Sequence, residues 1–331
     1  MNAEDIPYQL RPNKFIDRQM FLELLSRLVV PRGLENYIYV SMGGRHLADH
    51  HAVYNQLGVN AQYSFDKDEN EVARQKFNRP TGAAICAELD SADLPSEIDK
   101  IFLKFPRKKN LIVWLDYTTT ERRKQLQEAI QTMVRLKHGD IFRITLNANP
   151  QTLCGGDEWK KAGAQGPGEY RAQRLREQIK EFLPTDVAAI SDTELPAVLA
   201  RCIELAANEA TRLQPKLRFR PVLLTSYKDG SRMLTAACVV TEIEQIELFP
   251  IQLFARWKFA CRRWDDIVYI SAPILSSREQ YKLDAYVHLG PKRMLKSLKF
   301  LPAKDESASL EALKSYCSFH RYYPTFRHVE D

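Results

Sequence analysis

The stretch from Tyr37 to Asp66 constrains the fold more than any other part of the chain. It opens with the β-branched and aromatic run Tyr37–Ser41, which leads into Met42-Gly43-Gly44. A helical pattern follows, and a second short apolar run then closes on Asp66. This order of strand, glycine turn, helix, strand and carboxylate suits a cofactor that contains a ribose. Glycine allows a close approach of the backbone, and a carboxylate accepts hydrogen bonds from the ribose hydroxyls.

The rest of the chain continues the alternation of strands and helices. Further strands are predicted at 83–87, 111–116 and 141–146, and helical patterns separate them. The run 111–116 is apolar without alternation, which is typical of a central strand covered on both faces. This rhythm predicts a parallel sheet.

A hairpin is predicted at the end of the sheet, because Asp229-Gly230 lies between two β-rich runs, 221–227 and 232–241. The predicted fold class is therefore α/β. It consists of a Rossmann-like, mostly parallel sheet with helices on both faces, a terminal antiparallel hairpin and a C-terminal extension. We expect residues 1–242 to form the Rossmann-like domain with an N-terminal helix, and residues 243–331 to form a basic and aromatic α+β extension.

Composition narrows the class of protein. The 331 residues are 44% hydrophobic and 27% charged, close to a soluble globular average. No run approaches the ~18 apolar residues of a membrane span, and the polar N-terminus does not resemble a secretory signal. Six scattered cysteines without a CxxC pair favour reduced thiols, so we expect a cytoplasmic protein with no membrane partner. The net charge of +6 permits nucleic acid as a partner without requiring it.

Five short segments carry a resemblance to a known family. They are Tyr8-Gln9-Leu10-Arg11-Pro12-Asn13-Lys14, Tyr39-Val40-Ser41-Met42-Gly43-Gly44, Arg74-Gln75-Lys76-Phe77-Asn78, Trp114-Leu115-Asp116-Tyr117-Thr118 and Thr145-Leu146-Asn147-Ala148. With the alternation, the hairpin and the acid after strand two, they make the chain resemble class I S-adenosylmethionine-dependent methyltransferases. Among these it is similar to a bacterial family labelled putative O-methyltransferases. The resemblance covers roughly residues 8 to 242.

The resemblance implies S-adenosylmethionine as the cofactor and a set of site residues. Ser41, Gly43 and Gly44 would form the cofactor turn, and Asp66 would hold the ribose hydroxyls. Asp90 would lie near the adenine amino group, a role for which Glu88 competes. Asp116 and Tyr117, at the carboxyl end of strand four, would be the catalytic residues beside the methyl acceptor. Ligands of parallel sheets bind outside the carboxyl ends of the strands, so these residues could share one crevice.

The sequence also departs from the methyltransferase pattern. The turn reads Ser-Met-Gly-Gly rather than GxGxG, and Arg45-His46 follow where small residues are usual. Asp116-Tyr117-Thr118 lacks the Pro-Pro-aromatic element with which amino-methylating DNA enzymes hold a flipped base. Two alternatives therefore stay open. One is a catalytically degenerate module that binds nucleic acid or protein, and the other is a nucleotide binder without methyl chemistry.

Several candidate residues have a structural alternative. Asp66 could cap the next helix, and Asp116 could act as an N-cap near Thr118, which has capping-box spacing to Glu121. The motif at residues 8–14 could be a solvated arm or a lid over a pocket. Cys154 could be a nucleophile, but a structural thiol is favoured because no base accompanies it.

A histidine cluster suggests a metal at first sight. His46, His50 and His51 lie close together with Asp49, yet only His46 and His50 share one face of the predicted helix. Zinc normally needs three or four ligands, so we predict no metal site.

Basic residues near the C-terminus suggest a partner. The stretch 254–264 mixes aromatic and basic residues, and a basic cluster follows at 292–299. Such a mixture could hold a phosphate backbone while aromatic rings stack on bases. The candidate contacts are Arg256, Arg262, Arg263, Lys292, Arg293 and Lys296. The alternative is an amphipathic element whose aromatic side chains lie in the core and whose arginines face water.

Overall fold

The computed structural model describes residues 11–244 and 256–324. The helices are α1 (Pro12–Leu28), α2 (Ala48–Leu57), α3 (Glu69–Asn78), α4 (Leu94–Lys104), α5 (Arg122–Val134), α6 (Glu158–Lys161), α7 (Pro167–Ile179), α8 (Leu195–Leu213), α9 (Ser277–Tyr286), α10 (Pro291–Leu298) and α11 (Glu306–Phe319). The strands are β1 (Tyr37–Ser41), β2 (Gln62–Asp66), β3 (Ile85–Glu88), β4 (Asn110–Asp116), β5 (Ile141–Asn147), β6 (Leu217–Lys228), β7 (Arg232–Glu242) and β8 (Ile267–Ile270). No helix within these ranges combines the length and the apolar character needed to cross a membrane.

The strands form one mixed sheet in the order β3-β2-β1-β4-β5-β7-β6-β8. The first five strands of the chain pair in parallel, and β7 runs antiparallel to β5. The second strand of the Asp229-Gly230 hairpin thus returns between β5 and β6. This arrangement confirms the predicted α/β fold class.

The two faces of the sheet differ in chemistry because successive side chains of a strand point to opposite sides. One face carries aliphatic residues such as Ile38, Val40 and Val113, which share the main core with α4, α5 and α8. The other face is polar but equally buried. Its residues on four neighbouring strands are Tyr39, Ser41, Gln62, Ser64, Trp114, Arg143 and Thr145.

Two contacts join large side chains within the polar face. The indole nitrogen of Trp114 donates to Thr145 Oγ1 (2.9 Å). The guanidinium of Arg143 lies 4.0 Å from the centroid of the Trp114 ring, within range of a cation–π interaction. The fold thus buries a polar layer directly below the strand ends where the candidate site was predicted.

Some local predictions were wrong. The capping box at Thr118 and Glu121 does not form, because α5 begins at Arg122 and Glu121 makes no side-chain cap. Helix α2 begins only at Ala48, because the glycine turn continues as far as Leu47, whose φ is 48°. A capping box does form at the start of α9, between Ser276 and Glu279. Strand β8 and the short helix α6 had no clear sequence signal.

The described residues divide into two compact units. Residues 22–226, 231–244 and 256–268 form one, and residues 11–21, 227–230 and 269–324 form the other. In the second unit, the Asn13 side-chain amide donates to Asp229 Oδ1 (2.8 Å) and to the Lys228 carbonyl (3.1 Å). Its Oδ1 accepts from the Ala272 amide (2.7 Å). Asn13 is buried, so the solvated arm is wrong for residues 12–14, and residues 8–10 lie outside the described ranges.

Candidate active site

The glycine turn after β1 has a backbone that side chains would strain. Gly43 and Gly44 have φ of 72° and 60°, in the left-handed region that favours glycine. Ser41 is buried, and its hydroxyl accepts a hydrogen bond from the Gly43 amide (3.1 Å). The Gly44 amide bonds to the Met42 carbonyl (2.8 Å). The turn is therefore a tight, internally bonded structure.

The two glycines have different surroundings. A Cβ on Gly43 would lie 2.6 Å from Leu47 Cδ2 and 3.2 Å from His50 Cε1, so Gly43 is packed into the protein. A Cβ on Gly44 would meet nothing within 4 Å, and Gly44 is exposed. The outer side of the turn at Gly44 therefore has room for a bound molecule against the backbone.

Helix α3 fixes the turn from the side. The Gln75 side chain donates to the Met42 carbonyl (3.0 Å) and accepts from the Ser64 hydroxyl (2.8 Å). One turn further along the helix, the Asn78 side chain donates to the Arg45 carbonyl (2.9 Å). Gln75 and Asn78 belong to the segment Arg74–Asn78 that carries the family resemblance, and these bonds give two of its residues a physical role.

His50 lies beneath the turn. It is completely buried, and its ring packs edge-on against Tyr39 with 4.9 Å between the ring centroids. Burial, the largest cause, lowers the pKa of His50 to about 4. The imidazole is therefore neutral at physiological pH and acts as a packing element of the polar layer.

Strand register places the two candidate carboxylates on either side of the turn. Ser41 of β1 pairs with Ser64 of β2 and with Trp114 of β4. Asp66 lies two residues beyond Ser64, and Asp116 lies two residues beyond Trp114, so both are on the same face of the sheet as Ser41. Gly43, two residues beyond Ser41, is at the same height along the strands. Neighbouring strands are about 4.8 Å apart, so the two aspartates are separated by roughly 10 Å across the turn.

Asp66 lies half-buried at the end of β2. Its Oδ1 accepts a hydrogen bond from the Asp68 amide (2.9 Å), while Asp68 itself caps helix α3. The proposed alternative of Asp66 as the cap is therefore wrong. Burial, the largest cause, raises the pKa of Asp66 above its usual value.

The two acids at the end of β3 differ in exposure and in their contacts. Glu88 pairs in register with Asp66 and is exposed. Asp90 accepts a hydrogen bond from the Ala92 amide (3.0 Å), and its Oδ1 lies 3.9 Å from Lys124 Nζ. Asp90 therefore caps a short turn at the same edge of the sheet. Glu88 is the acid that pairs directly with Asp66 in the strand register.

Three side-chain contacts fix the loop after Asp116. The Tyr117 hydroxyl donates to the buried carboxylate of Glu128 (2.5 Å). The Asn147 side chain donates to the Thr118 carbonyl (3.3 Å), and the Gln125 side chain donates to Thr119 Oγ1 (2.9 Å). Burial and the Glu128 charge raise the pKa of Tyr117 well above its usual value, so this phenol does not serve as a base. Asp116 is therefore the candidate base of the two.

A buried arginine ties this loop to its neighbours. Arg122 donates to the Asn147 carbonyl through Nε and Nη2 (3.0 and 2.8 Å), to Thr152 Oγ1 (2.8 Å) and to Gln178 Oε1 (3.0 Å). Burial lowers its pKa to about 10, which leaves it charged at neutral pH. No sequence pattern pointed to Arg122, Gln125 or Glu128. Asn147 belongs to the family-like segment Thr145–Ala148, which suggested no role for it.

The predicted basic-aromatic stretch is mostly a core element where it is described. Trp257, Phe259 and Trp264 are buried, which agrees with the amphipathic alternative, and Phe254 lies outside the described residues. Arg263 forms an ion pair with Asp265, with 2.8 Å between Nε and Oδ1. Arg256 and Arg262 are exposed.

Lys292, Arg293 and Lys296 are exposed on α10. They belong to the compact unit that does not contain Arg256, Arg262 and Arg263.

The surroundings of the histidines and of Cys154 give neither of them a catalytic or metal-binding role. The His51 Nε2 atom lies 2.7 Å from the Asn78 carbonyl, His50 is buried and His46 is exposed. Within the described ranges, no group of three or more His, Cys, Asp or Glu side chains could hold a metal. Cys154 is buried, and its thiol donates to the Gly156 carbonyl (3.5 Å).

Comparison with known proteins identifies the family. A family model described as putative O-methyltransferase matches residues 6–331. The chain belongs to this putative O-methyltransferase family. The family match extends over the C-terminal region, where the sequence resemblance was weaker. A search of curated proteins finds no significant match.

Several solved structures resemble this putative O-methyltransferase at a distance. Trm1 from Pyrococcus horikoshii, in complex with S-adenosyl-L-methionine, shares 13% identity and has a TM-score of 0.43, with 95% of this chain and 78% of that chain covered. A DUF574 family protein from Streptomyces avermitilis shares 10% identity, with a TM-score of 0.39 and coverage of 69% and 82%. A SAM-dependent methyltransferase from Anabaena variabilis shares 9%, with a TM-score of 0.35 and coverage of 72% and 95%.

Proposed function

We propose that the protein is an S-adenosylmethionine-dependent methyltransferase. The observation that carries the proposal is the placement of the glycine turn between Asp66 and Asp116, at one level of the sheet and at the carboxyl ends of its parallel strands. Family membership and the room outside Gly44 support it. The residues present fit the cofactor, because they offer a bare backbone next to a carboxylate.

Each cofactor-side residue has a proposed role. Ser41 and Gly43 shape the turn through the bond from the Gly43 amide to the Ser41 hydroxyl, and Gly44 presents its open side to the cofactor. Asp66 accepts hydrogen bonds from the ribose hydroxyls with the oxygen that is not bound to the Asp68 amide. Asp90, or Glu88 in its place, receives the adenine amino group. A carboxylate that accepts such bonds contributes about 1.5–3 kcal/mol.

The acceptor side is formed by the loop after β4. S-adenosylmethionine supplies an electrophilic methyl group when bound. Asp116 takes the proton from the acceptor, and Tyr117, held by Glu128, positions the loop rather than exchanging a proton. General-base catalysis of this kind is typically worth 10²–10⁴-fold, provided that the base is held in position.

The domain organisation and the partner remain part of the proposal. Residues 1–242 would supply the cofactor and acceptor loops, and residues 243–331 would serve as the extension that selects the partner. We propose nucleic acid as the partner class, on the strength of exposed cations at Arg256 and Arg262 and on helix α10.

Calorimetric titration with S-adenosylmethionine and S-adenosylhomocysteine tests the cofactor proposal. Asp66→Ala removes the ribose acceptor and should weaken binding about 10- to 100-fold. Asp93→Ala is the matched control, because Asp93 lies at the same edge of the sheet and its side chain makes no capping bond. Binding that is unchanged in Asp93→Ala and weakened by this amount in Asp66→Ala supports the site.

The same titration separates the two functions left open by the sequence. No heat and no thermal shift at high ligand concentration would refute the methyltransferase proposal and leave a binding module. Equal loss in Asp66→Ala and Asp93→Ala would contradict the assignment of Asp66. A nucleotide binder without methyl chemistry would bind S-adenosylhomocysteine no better than adenosine.

A further inference from the structure

Helix α10 lies in a part of the chain that carries cations and no acids. Between Asp284 and Asp305 there are five basic residues, Lys292, Arg293, Lys296, Lys299 and Lys304, and not one Asp or Glu. Blocks of one charge on a folded surface attract partners of the opposite sign. This stretch is therefore a candidate for contact with a polyanion.

The helix directs these cations away from the protein. Lys292 and Lys296 are four residues apart, so they lie on one side of α10 with Arg293 beside them, and Lys299 follows directly after the end of the helix. All four are exposed and are called the cationic face below. Met294 and Leu298 are buried on the opposite side, where Met294 Sδ lies 3.3 Å from Cys317 Sγ of α11.

The nearest acid to the cationic face that lines the cleft at the first turn of α10, Glu311, forms its ion pair with Lys314 (3.7 Å). No described carboxylate lies within salt-bridge distance of Lys292, Arg293, Lys296 or Lys299. Elsewhere on the described surface many cations have an acidic partner, as Arg263 has Asp265. Four cations in the short stretch 292–299 repel one another, and an anionic partner would relieve that repulsion.

A cleft opens at the first turn of α10. Its volume is about 420 Å³, and it is lined by Leu289, Gly290, Pro291, Lys292, Leu310, Glu311 and Lys314. Leu289, Pro291 and Leu310 give apolar walls, and Lys292 belongs both to the cleft and to the cationic face. The cleft is open to solvent over much of its surface, so a base of an unpaired strand could reach it.

An aromatic ring lies at the other end of the cationic face. Phe300 directly follows Lys299 and is 49% exposed. The backbone at Lys299 is left-handed (φ 62°), which ends the helix before Phe300. Exposed aromatic rings beside cations are the usual platform on which unpaired bases stack.

We propose that the cationic face, the cleft and Phe300 together bind single-stranded nucleic acid. The phosphates contact the lysines and Arg293, one unstacked base enters the cleft, and another stacks on Phe300. A single strand fits better than a duplex, because the bases of a duplex are not available for a cleft or for stacking. A membrane surface fits less well, since the apolar side of α10 is already buried against α11.

This inference rests on the nucleic-acid partner class proposed above and is independent of cofactor binding. Fluorescence anisotropy with a labelled uridine oligonucleotide and the full-length protein tests it. The test variant is Lys292→Ala/Arg293→Ala/Lys296→Ala. The control is Arg107→Ala/Lys108→Ala/Lys109→Ala, which removes the same one arginine and two lysines from a turn outside α10.

The salt dependence gives the decisive number. Each lost phosphate contact reduces the slope of log K against log salt by about 0.7 for a single strand, so the test variant should lose about 2 units of slope while the control keeps the wild-type slope. Equal slopes in the two variants would overturn the proposal. So would tighter binding of a duplex of the same length, or binding of phosphatidylserine vesicles without binding of the oligonucleotide.

Phe300→Ala separates stacking from charge. It should weaken binding roughly tenfold at constant salt slope, because stacking contributes without neutralising phosphates. Unchanged affinity in Phe300→Ala would refute the stacking role. Calorimetry with S-adenosylhomocysteine on the same variants should show unchanged cofactor affinity. A wild-type protein that binds the cofactor and no oligonucleotide would therefore refute this inference alone.

Discussion

The two adjacent glycines of the cofactor turn allow the cofactor proposal to be tested with one pair of substitutions. Gly43→Ala and Gly44→Ala add the same methyl group at neighbouring positions, and both residues have a left-handed backbone (φ 72° and 60°). The backbone penalty is therefore similar in the two variants. For an L-residue in this region it is about 1–2 kcal/mol.

The packing penalty differs between the two positions. At Gly43 the new methyl carbon would lie 2.6 Å from Leu47 Cδ2 and 3.3 Å from Ser64 Cβ, in a buried layer that has to shift. Overpacking of this kind costs about 1–3 kcal/mol, so Gly43→Ala should lower the free energy of unfolding by about 2–5 kcal/mol. At Gly44 there is no atom within 4 Å, and only the backbone penalty applies.

Ligand affinity should show the opposite order. The methyl group on Gly44 would occupy the space in which the cofactor approaches the backbone, so Gly44→Ala should bind S-adenosylhomocysteine at least tenfold more weakly while it remains the more stable variant. Urea denaturation gives the two stabilities, and calorimetry on the folded fraction gives the affinities. Equal stabilities would refute the packing argument, and wild-type affinity in Gly44→Ala would refute the placement of the cofactor.

Three further predictions concern the residues around the turn. His50 stays neutral when folded down to a pH of about 4 but takes up a proton below 6.5 when unfolded, so the stability present above pH 6.5 should fall by about 3 kcal/mol towards pH 4. His50→Phe should lack that part of the pH dependence in denaturation curves. Gln75→Ala should cost about 2–4 kcal/mol by the same assay, because it leaves a buried hydroxyl and a carbonyl unpaired. Tyr117→Phe should lower thermal stability through the lost bond to Glu128, by about 1–3 kcal/mol, without changing cofactor affinity.

The sheet could be predicted from the sequence because the sequence patterns that indicate its strands are local. The bounds of β1 and the end of β2 at Asp66 agree with the prediction, since β-branched and aromatic runs end at glycine or at an acid. The Asp229-Gly230 turn likewise located the hairpin that brings β7 beside β5.

The predictions that failed depended on contacts between distant residues. Thr118 and Glu121 have the spacing of a capping box, but the Thr118 carbonyl is held by Asn147, 29 residues away, and the loop stays out of the helix. Asn13 looked solvated because its neighbours in sequence are polar. It is buried by the hairpin tip 216 residues further on, which the local pattern does not reveal.

Arg122 shows most clearly why the candidate site extends beyond the residues that a motif can name. A buried guanidinium without a carboxylate partner is costly, and here neutral oxygens alone receive it. The same side chain joins the start of α5 to the end of β5, to the turn at Thr152 and to α7. Since Asn147 also holds the loop after Asp116, the position of that aspartate depends on a buried network in which no member needs to touch a ligand. The acceptor is therefore the molecule that reaches Asp116. The residues that hold the loop determine how precisely Asp116 is positioned against it.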